Sequence, residues 1–80
     1  MSAVPTSRPV QIRDESIRLG QLLKLADLVD NGAEAKPLLM QGSVRVNGEQ
    51  ETRRGRQLGD GDTVQVGGES IVVRTLGHPR

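Results

Sequence analysis

Residues 43–53, with the sequence SVRVNGEQETR, constrain the fold of this chain more than any other segment. Val44 and Val46 alternate with polar residues, which is the pattern of a β-strand buried on one face. The dipeptide Asn47-Gly48 that follows is the favoured pair for a two-residue type I′ turn, because both central positions of that turn need a positive φ. The sequence therefore predicts a strand, a tight turn and a returning strand.

Hydrophobic periodicity predicts two helices before this hairpin. Apolar residues recur at intervals of three and four from residue 19 to about residue 29, which places them on one face of a helix. A second helix is predicted to begin at Asn31, whose side chain can cap the helix with Glu34 three positions later, and to end at Gly42. Pro37 lies inside this helix, and since proline removes a backbone hydrogen bond, we expect a kink or an irregular turn there.

Short strands are predicted on both sides of the helices. Alternating apolar residues in residues 10–19 predict one or two extended segments, and residues 62–66 and 70–75 flank a second hairpin signal at Gly67-Gly68. Two helices packed on a small curled, mainly antiparallel sheet would bury the apolar residues of both. We therefore expect an α+β fold.

A single domain from residue 10 to residue 74 is expected, because a chain of 80 residues cannot bury two separate cores. Residues 1–9 and 75–80 contain proline, glycine and small polar residues, and they are predicted to be flexible tails. The chain has no cysteine, which is compatible with a reducing compartment, and its first residues lack the hydrophobic stretch of a signal peptide. We expect a cytoplasmic monomer with no membrane contact.

The chain contains no Phe, Trp or Tyr, so its core must be built from aliphatic residues. The same absence removes the aromatic side chains on which unpaired bases usually stack, a contact that contributes about 1 to 3 kcal/mol per base. Any contact with a nucleic acid would therefore depend on charge, backbone amides and shape.

Residues 51–62, ETRRGRQLGDGD, place Arg53, Arg54 and Arg56 on one predicted loop. Guanidinium groups this close in sequence repel one another unless an anion is near. The planar fork of arginine suits phosphate, and Gly55 lets the backbone turn sharply or approach a ligand. A charge run is ordinarily a solvated surface loop, but these features favour an anion site, and we predict that the loop faces an RNA backbone.

Three further basic residues are candidates for the same surface. Lys36 lies near the start of the second helix, where backbone N–H groups and the helix dipole also favour an anion. Lys24 lies on the polar, solvent-facing side of the first helix, and Arg45 points away from the core on its strand. Each is an ordinary surface residue when taken alone. The net charge from Lys36 to Arg56 is nevertheless +3, against +1 for the whole chain, so a basic patch can exist on a nearly neutral molecule.

Catalytic and metal-binding machinery is not found in the sequence. The segment LGDGDTV, residues 58–64, matches neither a dinucleotide-binding loop nor a calcium loop, and it is predicted to be a tight turn. The only histidine, His78, lies in the predicted C-terminal tail, where neither a catalytic triad nor a zinc site would have rigid support. We therefore predict no catalytic residue, metal ligand or cofactor, and no enzymatic activity.

The run from Ala35 to Gly48 has the pattern A-x-x-L-[LI]-x-x-G-x-V-x-V-N-G. It resembles the alpha-L RNA-binding motif of the domain named after small-subunit ribosomal protein S4. The segments GQLLKLADLVDNGAEAK and ETRRGRQL are similar to the small stand-alone bacterial branch of that family, the YbcJ-like proteins. The resemblance spans roughly residues 15–73, which is most of the chain.

The resemblance implies that the helices and the hairpin form an L-shaped surface that grips structured RNA. It implies that the phosphate-facing residues are six basic side chains, namely Lys24, Lys36, Arg45, Arg53, Arg54 and Arg56. Many family members begin the second helix with Ser-Arg, where this chain has Asn31-Gly32. One customary RNA-contacting arginine is therefore absent, and the resemblance implies that Lys36 offsets it. Pro37 also departs from the family pattern, which usually has an ordinary helix former there.

Three functions fit the residues. The first is a module that binds structured RNA, plausibly ribosomal RNA, through phosphates and sugar hydroxyls with little sequence readout. The second is a β-grasp protein of the sulfur-carrier type, because VNGE followed by LGDGDTV also occurs in that class, although such carriers need a Gly-Gly carboxy-terminus and this chain ends in GHPR. The third is a protein–protein adaptor that uses exposed strand edges.

Overall fold

The computed structural model describes residues 7–75. Two helices are inserted among short strands, and the elements in chain order are β1 (Arg8–Ile12), β2 (Ser16–Arg18), α1 (Leu19–Leu25), α2 (Gly32–Met40), β3 (Val44–Val46), β4 (Glu49–Gln50), β5 (Gln57–Gly59), β6 (Thr63–Val66) and β7 (Glu69–Thr75). The predicted flexible tails, residues 1–9 and 75–80, lie mostly outside the described residues. Of their described members, Arg8 and Pro9 belong to β1 and Thr75 belongs to β7.

The strands form one five-stranded sheet in the order β1-β7-β6-β3-β4 and one two-stranded sheet of β2 and β5. β1 runs parallel to β7, and the other pairs are antiparallel. The predicted α+β fold, two helices with a mainly antiparallel sheet, is confirmed. β7 is an inner strand that pairs with both β1 and β6. Cleavage after Gly67-Gly68, which a sulfur-carrier function would need, would therefore remove the strand that joins β1 to the sheet.

The hairpin that dominates the sequence is present. Asn47 and Gly48 have φ values of 53° and 87°, as a type I′ turn requires, and Val46 pairs with Glu49 across it. The Asn47 side chain also fixes the neighbouring loop, because its Oδ1 accepts a hydrogen bond from the backbone N–H of Thr63 at 2.9 Å and its Nδ2 donates to Asp62 Oδ1 at 3.1 Å. The turn is thereby tied to the start of β6.

The prediction that the first helix extends to about residue 29 is wrong, because α1 ends at Leu25. Asp27 takes a left-handed conformation with φ of 67°. Its N–H donates to Lys24 O at 3.0 Å, and the N–H of Leu28 donates to Leu23 O at 2.9 Å. These two bonds form a Schellman motif, which is usually built on glycine. The chain leaves the helix there.

The second helix begins and ends at the predicted residues. The Asn31 side chain accepts a hydrogen bond from the N–H of Glu34 at 3.1 Å, and Gly42 follows the helix with φ of 80°. α2 spans Pro37 without a break, and the N–H of Gln41 donates to Pro37 O at 3.1 Å. The expected irregular turn at Pro37 is not seen in the course of the helix.

The core lies between the helices and the larger sheet. Its fully buried side chains are aliphatic and come from both layers, and they include Leu22 and Leu23 of α1, Leu39 of α2, and Val44, Val64 and Val73 of the sheet. This packing fixes the orientation of both helices, and with it the direction in which their basic side chains point. Neither helix of the described chain has the length and apolar character needed to cross a membrane.

Candidate nucleic-acid interface

The arginine loop, residues 52–56, is attached to the start of α1 through its backbone. The N–H of Leu19 donates to Arg56 O at 2.8 Å, and the N–H of Gly20 donates to Arg54 O at 2.9 Å. The first N–H groups of a helix lack partners within the helix, and the Arg18 side chain makes no capping bond here. The loop carbonyls therefore cap α1, and these two N–H groups are already occupied.

Gly20 lets the arginine loop lie close to the helix. A Cβ atom built on this residue would lie 3.3 Å from Cγ of Arg54 and 3.5 Å from Arg54 O. A side chain here would therefore crowd the Arg54 stem. The glycine sets the position of Arg54 against α1.

Glu51 is a buried carboxylate at the base of the loop, with only 6% of its surface exposed. Its Oε2 accepts hydrogen bonds from the N–H groups of Thr52 and Arg53 and from Arg53 Nε, each at 3.0 Å. Its Oε1 accepts from Arg53 Nη2 at 3.2 Å and from Arg56 Nη1 at 3.1 Å. One carboxylate thus holds two of the three loop arginines.

These contacts change the ionisation of the group. The hydrogen bonds from the Arg53 side chain, followed by the bond from its backbone, lower the pKa of Glu51 from its ordinary 4.5 to about 2. The same pairing raises the pKa of Arg53. Glu51 is therefore ionised at neutral pH, and it offsets part of the charge of the loop.

A basic groove lies beside this loop and consists of two hollows that share Arg54. The larger has a volume of about 410 Å³ and is lined by Arg18, Gly20, Gln21, Lys24, Gly32, Arg54 and Gly55. The smaller has a volume of about 190 Å³ and is lined by Lys36, Leu39, Met40, Thr52 and Arg54. No Asp or Glu of the described chain lines either hollow. The groove therefore presents four cationic side chains, from the end of β2, from α1, from α2 and from the loop.

The structure brings together three of the six predicted site residues, because Lys24, Lys36 and Arg54 line the basic groove. Arg53 and Arg56 are on the loop as predicted, but their guanidinium groups bind Glu51. Arg45 is exposed on β3, opposite Gln50 and Gln65, and lines neither hollow. Its Nη1 lies 3.5 Å from Gly48 O.

The sequence interpretation misses two residues that shape this site, the groove residue Arg18 and the buried Glu51. Arg18 reaches the groove because β2 pairs with β5, which places Arg18 opposite Gln57 just after the loop. Three-residue strands that pair across about forty residues leave no periodic signal. In the sequence, Glu51 is only an acidic neighbour of the arginines, and its spacing of two and five residues from Arg53 and Arg56 is the one signal that its carboxylate binds both.

Comparison with known proteins assigns the family. The model of the family described as S4 domain matches residues 10–74. A protein of Bacillus subtilis (strain 168) named "Probable ribosome maturation protein RlbA" is 47% identical over 62 residues, which are 78% of this chain and 87% of that protein. A protein of Escherichia coli (strain K12) named "Putative RNA-binding protein YbcJ" is 39% identical over 57 residues, which are 71% of this chain and 81% of that protein. The resemblance predicted from the sequence is confirmed, and the chain belongs to the S4 domain family.

Proposed function

We propose that this protein is a module that binds structured RNA, with ribosomal RNA as its target, through contacts to phosphates and sugars. The observation that carries the proposal is the basic groove, whose described lining residues include no carboxylate. Arg18 and Lys24 line one hollow, Lys36 lines the other, and Arg54 lines both. Phosphate contacts of this kind set affinity and orientation without reading sequence.

The form of the groove favours a polyanion over a small anion. Its charges come from four separate elements and are spread along two hollows that share one arginine. The first two N–H groups of α1 are occupied by loop carbonyls, so binding at this end of the groove must use side chains. Long cationic side chains spaced along a surface suit successive phosphates of a folded RNA.

The family supports this function and its target. The name of the E. coli relative describes RNA binding, and the name of the B. subtilis relative describes ribosome maturation. Both names, and the S4 domain itself, agree with the expectation that the chain is not an enzyme. We propose that it acts as a cytoplasmic monomer, with ribosomal RNA as its partner.

The test is a fluorescence anisotropy titration of a labelled RNA stem-loop at several salt concentrations. A triple variant, Arg18→Ala with Lys24→Ala and Arg54→Ala, should lose most of the affinity. The slope of log affinity against log salt concentration should be smaller in magnitude than that of the wild type by about 2 to 3. Each phosphate contact contributes about 0.7 to 0.9 to this slope. The control for losing a basic side chain elsewhere on the surface is Arg74→Ala, an exposed arginine of β7 that does not line the groove. Equal affinity of the triple variant and the control would reject the groove as the binding surface.

The ribosomal target is tested separately by sequencing RNA crosslinked to the protein in cells. Enrichment of ribosomal RNA, concentrated at a few structured positions, is the expected result. Enrichment of another RNA class would replace the proposed target while leaving RNA binding in place.

A further inference from the structure

We propose that Glu51 is a positioning residue for the RNA contact: its carboxylate holds residues 52–56 so that Arg54 faces the basic groove, and this acidic side chain therefore strengthens RNA binding. The inference rests on the proposed function and deepens it, because it divides the arginine loop into residues that hold its shape and a residue that meets the ligand.

Glu51 contacts residues on both sides of Arg54 in the sequence. The carboxylate accepts bonds from the backbone N–H groups of Thr52 and Arg53 on one side, and from the Arg56 side chain on the other. The N–H of Arg56 also donates to Arg53 O at 3.3 Å, which closes the turn over Arg54 and Gly55. Arg54 makes no hydrogen bond through its guanidinium group to any other residue between 7 and 75, so that group is available.

The backbone of the same turn is fixed from a second direction. Arg54 O and Arg56 O accept the first two N–H groups of α1. Both bonds depend on the shape of the turn, and the buried Glu51 carboxylate bonds to residues of the same turn. Glu51, the loop and the start of α1 therefore form one continuous unit.

Simple electrostatics makes the opposite prediction. A carboxylate beside a cationic groove repels RNA phosphates, so its removal should strengthen binding. If Glu51 positions the loop, its removal releases the loop, and RNA binding must then include the conformational cost of ordering the loop again. The two accounts differ in the sign of the change.

The experiment compares Glu51→Gln with Glu49→Gln in RNA stem-loop titrations. Glu49 is exposed on β4, two residues earlier, so its variant makes the same change of charge without removing any contact of the Glu51 carboxylate. We expect Glu49→Gln to bind as tightly as the wild type or slightly more tightly, and Glu51→Gln to bind about fivefold more weakly, since ordering one residue of backbone costs roughly that factor. Equal or tighter binding by Glu51→Gln would overturn the inference.

Two further measurements keep the test decisive. Glu51→Asp retains the charge but withdraws the carboxylate by one methylene. Positioning therefore predicts weaker RNA binding, whereas electrostatics predicts unchanged binding. Unchanged affinity would overturn the inference even if Glu51→Gln failed to fold. Amide hydrogen exchange of Leu19 and Gly20 in the free protein should be faster in Glu51→Asp and Glu51→Gln than in Glu49→Gln, and equal protection would also overturn it. Absence of RNA binding by the wild type would reject the proposed function instead, while the exchange rates would still decide whether Glu51 holds the loop.

Discussion

Arg54 and Gly20 are joined by a backbone hydrogen bond of 2.9 Å, and the stem of the arginine lies against the bare α-carbon of the glycine. A residue proposed to contact RNA is therefore placed by a residue that has no side chain. The position of Arg54 depends on the helix start as much as on its own loop, and this dependence can be tested at the glycine.

Gly20→Ala should separate RNA affinity from stability. The added Cβ would lie 3.3 Å from Arg54 Cγ, so the arginine stem must move by a few tenths of an ångström. Alanine stabilises a helix by about 1 kcal/mol relative to glycine, and this gain offsets the cost of moving the arginine stem. We therefore expect a nearly unchanged melting temperature and weaker RNA binding. Gly68→Ala is the control, because Gly68 lies outside the basic groove and its added Cβ would have no atom within 4 Å beyond its chain neighbours. Equal affinity of the two variants would show that the close approach at Gly20 has no role.

Single alanine substitutions should rank the arginines by their place in the structure. Arg54→Ala removes the side chain shared by both hollows, and we expect a loss of about 1 kcal/mol of binding free energy, as is usual for an exposed charged contact. Arg45→Ala should lose less than half of that, because Arg45 lies outside the groove. Anisotropy titrations at one fixed salt concentration measure both. A larger loss for Arg45 would move the interface toward the β3–β4 hairpin.

Acid should destabilise the fold through Glu51. Its pKa of about 2 in the folded protein lies below the ordinary 4.5, so its contribution to stability is fully present above about pH 4.5 and is lost as the pH falls toward 2. We expect the free energy of unfolding of the wild type to fall more steeply over this range than that of Glu51→Gln. Urea denaturation at several pH values measures the difference. Parallel pH profiles would contradict the shifted pKa.

The left-handed conformation at the end of α1 predicts different stabilities for two substitutions at Asp27. Asp27 has φ of 67°, a conformation that costs a residue with a side chain about 1 kcal/mol or more and costs glycine little. Asp27→Gly should therefore be more stable than Asp27→Ala by about 1 kcal/mol, although both variants lose the same charge. Thermal denaturation measures the pair. Equal melting temperatures would show that backbone strain does not limit this helix end.

Local chemistry was enough to predict much of the fold. Asn47-Gly48, the Asn31 cap and Gly42 each determine a turn or a helix end through their own backbone and side chain, and the structure confirms all three. The end of α1 was missed because aspartate takes a left-handed conformation less often than glycine. The parallel pairing of β1 with β7 was also missed, because neither strand carries a signal of its distant partner.

The interface was predictable in composition but less so in geometry. Charge and the family resemblance pointed to Lys24, Lys36 and Arg54, which the fold brings to one groove. The pairing of Arg53 with Glu51 could not be inferred from the charge of the segment, because a buried carboxylate and a solvated one look alike in sequence. Arg18 depended on a strand pairing that only the tertiary structure reveals.

The parallel pairing of β1 and β7 also orders events during synthesis. β1 is the first described element to leave the ribosome, and β7 is the last. Because β1 is an edge strand whose neighbour in the sheet is β7, it has no strand to pair with until the rest of the described domain has been made. Such long-range closure slows folding. The two helices and the Asn47 hairpin can assemble early. β1 stays unpaired until β7 has been made, and it completes the sheet in the final step.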